Sequence, residues 1–167
     1  MIPVVPTEHL VLRGHEVRDF DGYAGFWAGQ AAAPFGGPFS RDQAWESFLQ
    51  DAGHWHIRGF GQWMIELKAD GHAIGWVGFV QSVDAAEPEL GWTVYPDQEG
   101  KNLAYEASIA ARAFGASEFG FAHPPSMISA WNTRSIALAE RLGATCESER
   151  QQDGETVYVY RHPEVVQ

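Results

Sequence analysis

The 167-residue chain has 11 basic and 22 acidic residues, a formal charge of −11, and a composition that is 45% hydrophobic and 20% charged. That length and balance describe one globular domain over residues 1–167 and exclude a disordered chain. The acidity argues against nucleic acid and anionic membranes as partners, which recruit concentrated positive charge. A lone Cys146 requires no oxidising compartment and no apolar run is long enough for a bilayer, so the expected location is the cytoplasm.

His9–Gly14 reads as a first strand, and Val17–Gly29 places Phe20, Tyr23, Ala24 and Trp27 at helical spacing. Ala33–Pro38 is a Gly/Pro-containing loop. Ser40 and Gln43 then form a capping-box pattern ahead of Trp45, Phe48 and Leu49, so a second helix starts there. Gln62–Lys68 and Ala73–Gln81 are two strands joined through Asp70-Gly71, where Gly supplies the positive φ of a hairpin turn. Glu89–Tyr95 is a strand ended by Pro96, and Lys101–Glu118 is an Ala-rich helix after a short loop. Beyond a loop at His123–Pro125 come a brief strand at Met127–Trp131, a helix at Thr133–Leu142 with Gly143 as its cap, and strands Thr145–Arg150 and Thr156–Arg161 around Asp153-Gly154. The order predicts an α/β (α+β) sandwich: a mixed, largely antiparallel seven-stranded sheet flanked by about four helices.

Three motifs give this order a specific likeness. They are Thr7 to Arg13; Glu89-Leu90-Gly91-Trp92 with Pro96 to Ala107; and Trp131 to Ser135 with Arg141-Leu142-Gly143-Ala144. In order and spacing they resemble the GNAT N-acetyltransferases, and among these the branch that acetylates ribosomal-protein N-termini. The resemblance spans nearly the whole chain. It implies transfer of acetyl from acetyl-CoA to a primary amine, a protein N-terminus or a small molecule, by direct attack in a ternary complex.

A helix N-terminus suits the pyrophosphate of acetyl-CoA, because it offers unpaired N–H groups and partial positive charge. The segment Glu99, Gly100, Lys101, Asn102, Leu103 and Ala104 places one directly after a strand. Gly100 permits close approach and Lys101 adds a cation. Asn102 stands where the resembled pattern has a second Gly, and Asn is the residue that best tolerates the left-handed region. Glu99 stands where Gln or Arg is usual, and a carboxylate there repels phosphate unless it points away. The resemblance further implies that the backbone of Trp92, Thr93 and Val94 pairs with the pantetheine arm, and that Asn132 hydrogen-bonds it.

Acetyl transfer needs a base for the amine proton and an acid for the departing thiolate. Glu89 is the base candidate, with Glu87 and Glu66 behind it; a solvated strand-end carboxylate is the structural alternative. By resemblance Ser135 is the proton donor, set against the helix-capping role common for an early Ser. The tyrosine that many such enzymes use is absent, Ala139 taking its place. His54 and His56 lack Cys or carboxylate partners in sequence, so no metal is assigned.

Trp27, Phe35, Phe39, Trp45, Trp55, Phe60 and Trp63 make the first half strongly aromatic. Most are expected in the core, and any surplus serves an acceptor pocket or a homodimer contact. Phe35-Gly36-Gly37-Pro38-Phe39 is either a lid or a plain turn. The alternative to an enzyme is a degenerate acyl-CoA-binding sensor or partner-binding module.

Overall fold

The computed structural model describes residues 1–165. Each expected helix is present: α1 (Phe20–Ala28), α2 (Arg41–Arg58), α3 (Leu103–Phe119) and α4 (Thr133–Arg141). A 3₁₀ turn at Val17–Asp19 leads into α1, and another, Gln30–Phe35, replaces part of the expected loop that follows it. The capping box before α2 forms as its sequence requires, Ser40 Oγ accepting from the Gln43 N–H and the Gln43 side chain reaching back to the Ser40 N–H.

Eight strands stand where seven were expected, because Val5–Pro6 adds a short β1 to the edge of β2 (Leu10–Arg13). β3 (Gln62–Leu67), β4 (Ala73–Val80) and β5 (Glu89–Val94) complete a five-stranded sheet in chain order. β6 (Pro125–Ser129), β7 (Thr145–Gln152) and β8 (Glu155–Arg161) form a second sheet in the order β6-β8-β7. Every ladder among the described residues is antiparallel. The strand expected at Met127–Trp131 is displaced toward the N-terminus. Pro125 opens it, a position where a missing N–H costs no ladder bond, and Trp131 lies in the turn beyond its end. Asp153 and Gly154, with φ of 51° and 83°, make the two-residue turn between β7 and β8.

The helices lie on opposite faces of the larger sheet. α3 turns Ala107, Ser108, Ala111, Arg112 and Gly115 inward, and these mostly small residues let its backbone approach Ile74, Val77, Phe79 and Leu90. α1 and α2 cover the other face with an aromatic cluster of Phe20, Tyr23, Phe26 and Phe48 around Met64 and Trp76. Of the seven aromatic side chains singled out above, Phe35 alone is exposed, at 51%; the others supply core. Arg13, buried in β2, is chelated by Asp19 at 2.7 Å through both terminal nitrogens and reaches Glu66 at 2.5 Å, fastening the start of α1 to the sheet.

The two sheets meet through β5 and β6. Leu90 of β5 is held by Ser126 of β6, whose Oγ donates to the Leu90 carbonyl at 2.7 Å. Farther along β5, Trp92 packs with the cluster around Ile128, farther along β6, so the two strands run in the same sense. The single sheet expected from sequence is thus divided into two antiparallel sheets set side by side. No ladder joins them among the described residues. The edge of β5 from Trp92 to Val94 therefore faces a gap.

Ser126 has one proton and spends it on Leu90, so the 2.9 Å contact with fully buried His162 requires His162 Nε2–H to donate. Its Nδ1 is buried without a partner, and burial, helped by the charges of Arg112 and Arg161, lowers the imidazole to about 4. An unfolded histidine takes a proton near pH 6.5, so the stability this residue contributes falls as the pH drops from about 6.5 toward 4. In an NMR titration the His162 ring is expected to stay neutral, with its proton on Nε2, down to about pH 5. Titration near 6.5 would contradict the assignment.

Candidate active site

Where β5 and β6 diverge, a cleft of about 560 Å³ opens between them. One wall is the end of β5, Trp92 to Val94, running into Gln98, Glu99 and Gly100 and the first turn of α3. The other is Trp131, Asn132 and the face of α4 carrying Arg134, Ser135, Leu138 and Arg141.

The turn into α3 explains how the cleft acquires a helix N-terminus. Pro96–Gln98 forms a 3₁₀ turn, Gly100 has φ 74°, and Asn102 has φ 65°, the left-handed conformation expected of it. From there the chain enters α3 directly, and the first backbone bond of the helix runs from Glu106 N–H to the Asn102 carbonyl at 3.1 Å. No side chain among the described residues caps this end. Leu103 and Ala104 thus bring unpaired N–H groups to the cleft. Lys101 departs from expectation: it is absent from the cleft lining, and its Nζ donates to the Gln98 side chain at 3.0 Å.

Glu99 does not stand as a lone negative charge. Its carboxylate is paired with the Arg134 guanidinium, so the pair spans the cleft from the β5–α3 loop to α4. The neighbouring Arg141 lies over the Tyr105 ring, 3.9 Å from its centre. Arg134, Arg141 and Tyr105 are cleft residues not singled out from sequence, while Phe35, singled out there among the aromatics, joins them in the lining. The spacing of positions 134, 138 and 141, one turn and then two along α4, is the signal that marks them as one face.

Asn132 caps α4, its Oδ1 accepting from the Ser135 N–H at 3.1 Å. That bond commits the amide oxygen and leaves the amide N–H groups for a ligand. The capping role weighed for Ser135 belongs to Asn132 instead, and the Ser135 hydroxyl has no protein partner among the described residues. Ala139 turns away from the cleft into the core beside Ile128 and Tyr160.

The carboxylates separate clearly. Glu87 makes a two-armed pair with Arg161 at 2.7 and 2.8 Å, which holds it below its ordinary range, and Glu66 is shared by Arg13 and Arg18. Glu89 has no cation partner among the described residues. Burial raises its carboxyl above the usual glutamate value, offset by one hydrogen bond from the Met127 backbone N–H. It opens β5, about 10 Å from Trp92 along the strand at about 3.3 Å per residue, and is not part of the cleft lining. A second raised carboxyl, Asp51 at about 6, is desolvated beneath α1 and accepts from the Tyr23 hydroxyl at 2.8 Å, also away from the cleft.

Other features resolve into packing. His54 lies between the Phe60 carbonyl, 2.7 Å from Nδ1, and the Gln81 N–H, 3.2 Å from Nε2, so both ring nitrogens are engaged. The Phe35–Phe39 segment is a pinned turn rather than a loose lid: Phe39 stacks on Trp27 with centroids 4.4 Å apart, and its N–H donates to the Trp27 carbonyl at 2.9 Å. No helix of the described residues is long and apolar enough to cross a membrane.

Comparison with known proteins agrees with this geometry. Residues 9–145 match the acetyltransferase (GNAT) domain family. An acetyltransferase from Agrobacterium tumefaciens is similar at 34% identity and a TM-score of 0.88, over 98% of this chain and 96% of that one. A GnaT-family acetyltransferase from Bordetella pertussis is similar at 26% identity and 0.84, over 96% and 99%. The fold is also that of RimL, a ribosomal-protein alpha-N-acetyltransferase in complex with coenzyme A, at 15% identity and 0.78, over 97% and 98%. With a family match over most of its length and a cleft opened by diverging strands, the chain belongs to the GNAT acetyltransferase family.

Proposed function

We propose that the chain transfers an acetyl group from acetyl-CoA to a primary amine by direct attack in a ternary complex. One observation carries this reading: the uncapped N-terminus of α3 and the unpaired edge of β5 border the same cleft. The first suits a pyrophosphate, and the second suits the amides of a pantetheine arm, which add to a strand edge as a peptide would. The family match and the coenzyme A complex of a protein with the same fold support acetyl-CoA as the donor. In this reading Trp92, Thr93 and Val94 pair with pantetheine, the Asn132 amide N–H groups donate to it, and Glu99 to Ala104 form the phosphate loop. The likeness to the branch that acetylates ribosomal-protein N-termini makes a protein N-terminus one candidate acceptor beside small amines.

Glu89 takes the role of base. Its raised carboxyl matches a proton acceptor better than the paired Glu87 and Glu66, and its distance from Trp92 along the strand calls for a water relay to the amine. Ser135, with a free hydroxyl in the cleft, takes the role of acid toward the thiolate. Cofactor binding without turnover is the second reading, favoured by the place of Glu89 outside the cleft lining.

Two variants test the assignment. Glu89→Gln is expected to lower kcat about 100-fold while acetyl-CoA affinity changes less than about twofold. In the parent, kcat/KM rises with pH through the raised glutamate pKa, because the base works deprotonated; in the variant that limb disappears. Unchanged turnover removes Glu89 from the mechanism. Gly100→Val places a β-branched residue at a φ of 74°, which is strained even with open space around it. The variant is expected to distort this exposed loop and lose acetyl-CoA binding while far-UV circular dichroism stays that of the parent, and retained affinity would move the phosphates elsewhere.

A further inference from the structure

The two ends of the cleft differ in chemistry. The phosphate end carries the helix N-terminus, while the far end is walled by Phe26, Ala31, Pro34, Phe35 and Trp131. Phe35, from the α1–α2 connection, meets Trp131, from the β6–α4 turn, edge to face with centroids 5.6 Å apart at 61°. Walls from opposite sides of the cleft thus touch through two aromatic rings. Both stay substantially exposed, at 51% and 43%, where nearly every other aromatic side chain of the first half is packed away.

The Phe35 backbone and the Trp131 ring are held in place. Phe35 ends the 3₁₀ turn that Gly36, at φ 95°, terminates, and the Gly37 N–H donates to the Ala32 carbonyl at 3.0 Å. The indole N–H of Trp131 donates to Glu155 at 3.1 Å, outside the cleft lining. The outcome is an apolar mouth whose Phe35 backbone is set by a turn and whose Trp131 ring is tied to Glu155.

The charges of the cleft decide what fits. Its lining holds the cations Arg134 and Arg141 and one carboxylate, Glu99, which is already paired with Arg134. A polyamine entering here would bring a second ammonium to a site without an unpaired carboxylate, and an uncompensated charge is costly to desolvate. A cage for cations presents ring faces to one point. Phe35 and Trp131 instead meet edge to face, which suits a third ring or a bulky aliphatic group stacked alongside.

We propose that the acceptor is a primary amine carried on an aromatic or large apolar body, seated against Phe35 and Trp131, and that polyamines are excluded. This rests on the acetyl-transfer reading above and names the substrate class for the same site. The amine nitrogen attacks the thioester carbonyl, the nitrogen–carbonyl bond forms as the carbon–sulfur bond breaks, the amine proton leaves to the base, and the products are the amide and coenzyme A.

The test measures coenzyme A release by the full chain with 2-phenylethylamine, tryptamine and spermidine, alongside calorimetric titration with acetyl-CoA. The two arylalkylamines are expected to show kcat/KM at least about tenfold above spermidine, and Phe35→Ala to erase most of that advantage through KM. Acetyl-CoA binding with spermidine preferred, with equal rates, or with no turnover of either arylalkylamine overturns the substrate class and leaves the cofactor reading standing. Absence of acetyl-CoA binding overturns both. A Phe35→Ala variant that keeps the full preference overturns the role of the aromatic mouth.

Discussion

One buried hydroxyl determines where this fold opens. Ser126 donates to the Leu90 carbonyl and accepts from His162, fully shielded from solvent, and so pins β5 to β6 at a single level. A buried polar group must find partners, and this one, on β6, finds them in β5 and in His162 just past β8, so the strands cannot separate there. Beyond the pin no ladder holds them, and the gap becomes the cleft. Arg112 braces the same region from α3, donating to the carbonyls of Leu142 and Pro163 at 2.8 and 2.7 Å. The cleft is therefore a defect in sheet pairing, enforced by the Ser126 hydrogen bonds on one side and a well-packed α3 on the other.

The electrostatics of the cleft run against those of the whole molecule. A chain with a formal charge of −11 would repel a phosphorylated ligand at long range, yet charges on an exposed surface are screened within about 8 Å at physiological salt. Inside the cleft the nearest groups are the N–H groups of α3, Arg134 and Arg141. Glu99, the residue least suited to a phosphate loop, is paired by Arg134 across the opening. Both side chains of that pair are solvent-exposed, so the pair is weak and can exchange partners when an anion arrives.

What was legible in the sequence follows from how local each signal is. The Ser40–Gln43 box, the Asp153-Gly154 turn and the left-handed Asn102 are set by a few consecutive residues, and all form as read. The turn from Glu99 into α3 was legible for the same reason, being one contiguous segment. Signals that depend on tertiary placement were not. Glu99 and Arg134 are 35 residues apart, and only the splay of β5 from β6 brings them together. Glu89 ranks ahead of Glu87 as base candidate from its place at the start of a strand and by resemblance; the environments that separate the two, Arg161 beside Glu87 and burial around Glu89, come only from the fold. The Pro124-Pro125 pair read as loop because proline rarely enters a strand, whereas a first strand position tolerates it. Lys101 looked like a phosphate contact from proximity in sequence alone, whereas its ammonium is engaged by the Gln98 side chain and it is absent from the cleft lining.

The central claim is that the gap between β5 and β6 holds the pyrophosphate and pantetheine of acetyl-CoA. Amide chemical-shift mapping of the ¹⁵N-labelled chain on titration with coenzyme A, with adenosine as control, tests it most directly. The account predicts saturable shifts at Trp92 to Val94 and at Gly100 to Tyr105, with the β1–β2 edge unmoved and adenosine without effect on the loop. Shifts confined to other surfaces, or none at about 1 mM ligand, a concentration at which even weak specific binding registers, would contradict it.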